Sequence, residues 1–130
     1  MAPRLDAIGI ICKDIAKARR FYGMLGLQFP ENNEDHVEAT APNGLRIMLD
    51  KVELMKQLDP EWVEPVGRRM GMAFRCDSPD EVDKTFARIV QAGFTRKDTA
   101  PYDAFWGQRY ASVFDPDGNV VDLFAELPAK

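Results

Sequence analysis

From Leu5 to Cys12 the bulky Ile8 and Ile10 alternate with the small Ala7 and Gly9, which predicts a strand. Beyond Asp14 the apolar positions Ile15, Ala18, Phe21, Tyr22 and Leu25 return every three to four residues, the spacing of one helix face. Asp14 stands where a helix needs an acceptor for its first free N–H groups, and Gly26 where it needs a left-handed stop. A short strand is expected over 27–31, then the polar loop Glu31-Asn32-Asn33-Glu34-Asp35. A strand from His36 to Ala41, a turn at Pro42-Asn43-Gly44 and a strand from Leu45 to Asp50 complete the first half. That half therefore reads β-α-β-β-β. Residues 51–69 lose the pattern. Pro60, Pro65 and Gly67 interrupt them, and Leu54, Met55, Leu58, Trp62 and Val63 suggest a connection holding a helical turn or two.

The second half repeats the first. Met70 to Cys76 alternates as a strand, and Ser78-Pro79-Asp80-Glu81 is a capping box with proline at the first helical position. Val82, Phe86, Ile89 and Val90 form the apolar helix face, and Gly93 stops it. A short strand follows at Phe94 to Lys97, then a loop from Thr99 to Trp106, a strand from Gln108 to Phe114, a turn, and a strand from Asn119 to Ala125. Two hairpin sequences correspond: Ala41-Pro42-Asn43-Gly44-Leu45-Arg46-Ile47-Met48-Leu49-Asp50 and Asp115-Pro116-Asp117-Gly118-Asn119-Val120-Val121-Asp122-Leu123-Phe124. Cys12 then matches Cys76, Gly26 matches Gly93, and Met48 matches Asp122. Strand, helix, glycine stop and Pro-x-Gly turn recurring in one order mark an internal duplication.

Alternation also separates two faces of the predicted sheet. Ile8, Ile10, Met72 and Phe74 form a bulky set suited to packing under the helices. The other face carries the small residues Ala7, Gly9, Gly71 and Ala73, together with Arg46, Met48, Arg75, Val120 and Asp122. The expected architecture is α+β: tandem βαβββ modules forming a curved, cup-shaped mixed sheet with helices on the outer face. The small residues either line a hollow inner face or let another strand or subunit approach. The polar Arg46, Arg75 and Asp122 on that face favour the hollow.

At 130 residues the chain is expected to be one domain, with modules at about 4–50 and 70–127 joined by the connection 51–69. Its composition is that of an ordinary globular chain, 45% hydrophobic and 29% charged. A net charge of −4, with basic residues scattered, leaves no footprint for nucleic acid. No apolar run approaches a membrane span, and the N-terminal residues show no signal-peptide core. The two cysteines, Cys12 and Cys76, then read as reduced, buried thiols of a cytoplasmic protein.

The residues Trp106-Gly107-Gln108-Arg109-Tyr110, leading into Asp115-Pro116-Asp117-Gly118-Asn119, resemble the glyoxalase-like and bleomycin-resistance-like branch of the vicinal oxygen chelate superfamily. Phe21-Tyr22-Gly23-Met24-Leu25-Gly26-Leu27 is similar to the family's helix ending, and the resemblance covers essentially the whole chain. Enzymes of the family hold a divalent metal with histidine or glutamate from the first and last strands of each half. The resemblance places those positions at Ala7, Met48, Gly71 and Asp122, and only Asp122 suits a hard metal. One carboxylate is too few for a catalytic metal, which usually needs about three protein ligands. His36, the single histidine, pairs by the repeat with Tyr110 and is expected at the surface beside the acidic loop.

The resulting expectation is a protein without metal or other cofactor that holds a small aromatic or amphipathic molecule. Its ligand-binding residues are Ala7, Gly9, Met48, Gly71, Ala73, Tyr102, Phe105, Trp106, Tyr110 and Asp122, with no catalytic residue assigned. Phe105 belongs equally to the pocket or to a core or dimer contact. Asp122 either meets a ligand cation or pairs with Arg46 or Arg75, and Arg109 is structural or solvent-facing. Ser78 is accounted for as a helix cap, and Ser112 lacks a histidine partner in the sequence. The alternatives are a glyoxalase-like lyase, isomerase or dioxygenase, in one version with Asp122 as general base, and a protein-binding module. Family members of this length commonly pair, so a homodimer is expected. Neither a nucleic acid nor a membrane is an expected partner.

Overall fold

The structure, a computed structural model, describes residues 2–98 and 100–129. It comprises two compact units, Met1–Val66 and Gly67–Lys130. The division falls within the predicted connection.

The first unit runs β1 (Ala7–Cys12), α1 (Ile15–Gly23), β2 (His36–Thr40), β3 (Arg46–Lys51) and α2 (Val52–Leu58). Its sheet has the order β1-β3-β2, with β1 parallel and β2 antiparallel to β3. The Asp14 carboxylate accepts the Lys17 backbone N–H at 3.1 Å, which caps α1 as its sequence implies. Gly26, at φ +90°, lets the Leu27 N–H return to the Tyr22 carbonyl at 3.1 Å, a closure that needs a left-handed residue. Ile15, Ala18, Phe21 and Tyr22 of α1 are buried, as are Ile10, Cys12, Val37, Ala39, Ile47 and Leu49 of the strands. Each large side chain fully buried in this way stabilises the unit by about 1.5–3 kcal/mol.

The second unit runs β4 (Gly71–Arg75), α3 (Pro79–Gln91), β5 (Tyr102–Asp103), β6 (Gln108–Phe114) and β7 (Val120–Glu126). Its sheet has the order β4-β7-β6-β5, again mixed: β4 is parallel to β7 and the other pairs are antiparallel. The Ser78 hydroxyl accepts the Glu81 N–H at 3.1 Å, while the Glu81 carboxylate reaches the N–H of Asp77, one residue before the cap. Val82, Thr85, Phe86 and Ile89 are the buried face of α3. Val90, expected on that face, is only half-buried, and Thr85 takes the fourth buried place.

The α+β class and the two related modules agree with the sequence reading, and hydrogen bonding divides the strands into two mixed sheets. Two of the short expected strands differ. Residues 27–31 form none, because the Leu27 N–H is taken by the helix closure and Pro30 has no N–H to give. Phe94 to Lys97 makes one isolated bridge, Arg96 to Val113, since the Phe94 N–H likewise closes its helix on Ile89. Of the expected loop 99–106, Thr99 lies outside the described residues, and Tyr102–Asp103 is added to the sheet as β5. Cys12 and Cys76 are both buried. Among the described residues no helix is long and apolar enough to cross a membrane.

Candidate functional site

The two hairpins that match in sequence also match in hydrogen bonding. Gly44 N–H reaches Ala41 O at 2.8 Å and Gly118 N–H reaches Asp115 O at 3.0 Å; the Ala41–Leu45 and Asp115–Asn119 bonds correspond in the same way. The second turn carries an addition. Asp115, buried at 4% exposure, accepts the backbone N–H groups of Asp117 and Asn119 and the Asn119 side-chain amide, at 2.8–2.9 Å. A turn held by three side-chain bonds fixes where β7 begins, and so where Asp122 stands.

On the second sheet, Gly71, Ala73, Arg75, Val120, Asp122, Phe124, Tyr110 and Ser112 share the face opposite α3, as strand alternation requires. Ser112 lies directly across from Asp122 in the β6–β7 register. Its hydroxyl donates to Asp122 Oδ1 at 2.6 Å, and the Tyr110 hydroxyl donates to Oδ2 at 2.6 Å. Burial of the Tyr110 phenol, and secondarily its bond to the Asp122 carboxylate, pushes its pKa well above the ordinary value. The phenol therefore stays protonated and keeps donating at every physiological pH.

Aromatic rings gather at the same end of the sheet. The Trp106 ring lies 5.1 Å from that of Tyr110 and 6.5 Å from that of Tyr102, and Tyr102 is 6.2 Å from Tyr110, all edge-to-face. The short connection between β5 and β6 holds Trp106 there: Ala104 N–H bonds Gln108 O, and Gly107 N–H bonds Ala104 O. The Trp106 indole N–H donates to Gln108 Oε1 at 2.8 Å, and the Gln108 amide donates to Glu126. Trp106 remains 47% and Tyr102 39% exposed. Phe105 touches Trp106, 5.0 Å between centroids, but is 98% exposed and adds little to a site in its own unit.

Tyr102, Trp106, Tyr110 and Asp122 are thus brought together, with Gly71 and Ala73 beside them. A Cβ on Gly71 would meet nothing nearer than a backbone oxygen at 4.0 Å, so the face is open there within the unit. Ala7, Gly9 and Met48 share a face of the first sheet, where Gly9 pairs with Met48. Asp122 pairs with neither expected arginine. Arg46 is held by Asp6 and Glu38, and Arg75 lies over the Phe124 ring at 4.8 Å and 3.6 Å from Glu126. The expected ion pair is replaced by two hydroxyl bonds. Arg109 is structural: it makes a two-pronged pair with Asp83 of α3 and a further bond to Asp103.

His36, expected as a bland surface residue, instead sits between two carboxylates. Its Nδ1 is 2.5 Å from Asp50 and its Nε2 2.7 Å from Glu38. Glu38 also binds Arg46, which binds Asp6, so five charged residues form one chain across the first sheet. Hydrogen bonds to Asp50 and then Glu38 raise the His36 pKa above its ordinary 6.5, against a smaller opposing effect of burial. Period-two spacing puts His36 with Glu38 on one face of β2 and Arg46 with Asp50 on one face of β3, and the β2–β3 register then brings the two pairs together.

The four positions where the family resemblance puts metal ligands do not fit a divalent ion. Ala7, Met48 and Gly71 offer no side-chain oxygen or nitrogen, which leaves Asp122 as the single donor of the four. Covalent chemistry fits no better: the Ser112 hydroxyl donates to Asp122, and burial raises the pKa of the Cys76 thiol.

Known structures share this fold. A glyoxalase/bleomycin resistance protein/dioxygenase family enzyme from Burkholderia phytofirmans PsJN superposes with a TM-score of 0.85 at 23% identity, over 96% of this chain and 100% of its own. A glyoxalase-related enzyme from Fulvimarina pelagi gives 0.81 at 22%, over 96% and 89%. A glyoxalase/bleomycin resistance protein/dioxygenase from Nocardioides gives 0.77 at 23%, over 100% and 87%. Among curated proteins none matches the chain. In sequence, the family model described as the Glyoxalase/Bleomycin resistance protein/Dioxygenase superfamily matches residues 4–123. That match spans both modules and both duplicated hairpins, and the chain belongs to this superfamily.

Proposed function

We propose that the chain is a metal-independent binding protein for a small aromatic or amphipathic organic molecule, which rests on the rings of Tyr102, Trp106 and Tyr110 beside Asp122. The observation that carries this reading is the partly exposed ring cluster on an open sheet face, next to a carboxylate held by two hydroxyls. Flat rings with exposed faces favour a flat ligand, and a contact covering about 150 Å² contributes on the order of 4 kcal/mol before the cost of association. The donor-poor ligand positions and the absence of an activated nucleophile among the described residues support binding over catalysis. The reading includes a cytoplasmic homodimer, for which the exposed Leu58, Val63, Val66 and Met70 supply apolar surface.

The test combines two measurements. Purified protein, dialysed against a mild chelator, is assayed for bound metal; a stoichiometric ion overturns metal independence. Planar aromatic compounds are then screened for a rise in melting temperature, since a ligand of the native state stabilises it. Hits are expected to lose most of their affinity in Trp106→Ala. Hits that bind this variant as tightly as the parent place the ligand elsewhere.

A further inference from the structure

The direction of every hydrogen bond at the ring cluster restricts what its ligand can be. A carboxylate has about four acceptor positions and no hydrogen to give. Each oxygen of Asp122 accepts one hydroxyl, from Ser112 or from Tyr110, so acceptor capacity remains on both. The neighbouring donors are turned inward. Tyr110 and Ser112 give their hydrogens to Asp122, and the Trp106 indole gives its hydrogen to Gln108. Among the described residues the Tyr102 hydroxyl, at the exposed rim, has no such fixed partner in the cluster.

Asp122 also lacks a protein counter-ion among the described residues. Arg75 is two residues along β4 from Ala73, which pairs with Asp122, yet its guanidinium is directed to Phe124 and Glu126. The half-buried site therefore holds a negative charge and ring faces, which are themselves attractive to cations. An anionic ligand would meet like charge and few free donors. A neutral ligand could give Asp122 a hydrogen bond but would leave its charge without a counter-ion, and a charge-assisted bond is the stronger one.

We infer that the site selects small organic cations: a protonated amine, amidine or guanidinium carried on a flat apolar body, its N–H groups directed at Asp122 and its rings stacked on Trp106 and Tyr110. This inference rests on the binding site proposed above and names the chemical class it takes. Asp122 fixes the charged end and the aromatic cluster the apolar end.

Three probes of equal ring size test it: 1-naphthylmethylamine, 1-naphthalenemethanol and 1-naphthoic acid, titrated at pH 7 with Trp fluorescence and calorimetry as readouts. The amine is expected to bind at least about tenfold tighter than the alcohol, the factor of a single charge-assisted hydrogen bond, and the acid weakest. Asp122→Asn, which keeps the shape, is expected to remove the amine's advantage and leave the alcohol within about twofold. The inference is overturned by equal affinities across the series, by preference for the acid, or by an amine preference that survives Asp122→Asn. In each of those cases the aromatic site itself stands. Binding of none of the three overturns the site as well. If Asp122→Asn fails to fold, the order of the three probes on the parent protein decides alone.

Discussion

His36 gives the sharpest prediction, because it is the only histidine and its geometry demands a charge. A neutral imidazole has one N–H, and here both ring nitrogens face carboxylate oxygens within 2.7 Å. Only the imidazolium satisfies both. Its folded-state pKa is raised above the ordinary 6.5, by Asp50 first and Glu38 second. The stabilisation is therefore complete below about pH 6.5 and is lost as pH rises through the raised value. The Asp50 contact sets the magnitude. A hydrogen bond between charged groups contributes about 1.5–3 kcal/mol. The Asp50 side chain is 14% exposed, but His36 is 34% exposed and solvent screens it, which reduces the effect to about 1 kcal/mol. For a domain of this size that is roughly 3–5 °C in melting temperature. The single imidazole resonance followed by NMR from pH 5 to 9 should titrate with its midpoint above 6.5. Melting curves should fall between pH 6 and pH 9 in the parent, and fall less in His36→Gln. A midpoint at or below 6.5, or the same pH response in the variant, would refute the reasoning.

Tyr110→Phe leaves Asp122 with Ser112 as its one hydroxyl donor and keeps the ring contacts; a loss of about 1–2 kcal/mol in urea unfolding is expected, and unchanged stability would count against the bond. Asp115→Ala removes three hydrogen bonds from a buried turn and should cost about 2–4 kcal/mol by the same assay. Sedimentation equilibrium at micromolar concentration should give twice the monomer mass; a monomer would remove the homodimer from the proposal.

The parts of the fold legible in the sequence are those whose causes are local. Asp14 and Ser78 cap helices through their own side chains within a few residues, and Gly26 and Gly93 close them with the next N–H. The duplication was legible because it repeats such local signals in order. The lost strand at 27–31 shows the limit: Leu27 alternates acceptably, but its N–H had already been claimed by the helix before it. The candidate site was half legible. Tyr102, Trp106, Tyr110 and Asp122 follow from spacing and residue type, whereas the bonds of Asp122 to Tyr110 and Ser112 depend on the β6–β7 register. A one-residue slip would turn every one of those side chains to the other face. His36 was missed for a similar reason, since its partner Asp50 is opposite it only once β2 and β3 are aligned.

The hairpin of β6 and β7 also bears on the order in which the second unit assembles. Seven residue pairs, from Phe114 with Val120 out to Gln108 with Glu126, are joined by a turn whose conformation Asp115 holds through its own neighbours. Closing so short a loop loses little chain entropy, and hairpins form in about 1–10 μs. Strand β4 is instead separated from β7 along the chain by α3, β5 and β6. The hairpin is therefore expected to be the folding nucleus of its unit, with β4 docking late. Pulse-labelled hydrogen exchange during refolding should protect the amides of Ala111 to Phe114 before those of Met72 to Arg75, and the opposite order would refute it. Asp115→Ala should then slow refolding rather than chiefly hasten unfolding. The residue that sets the start of β7 in the native state would also set the rate at which that state is reached.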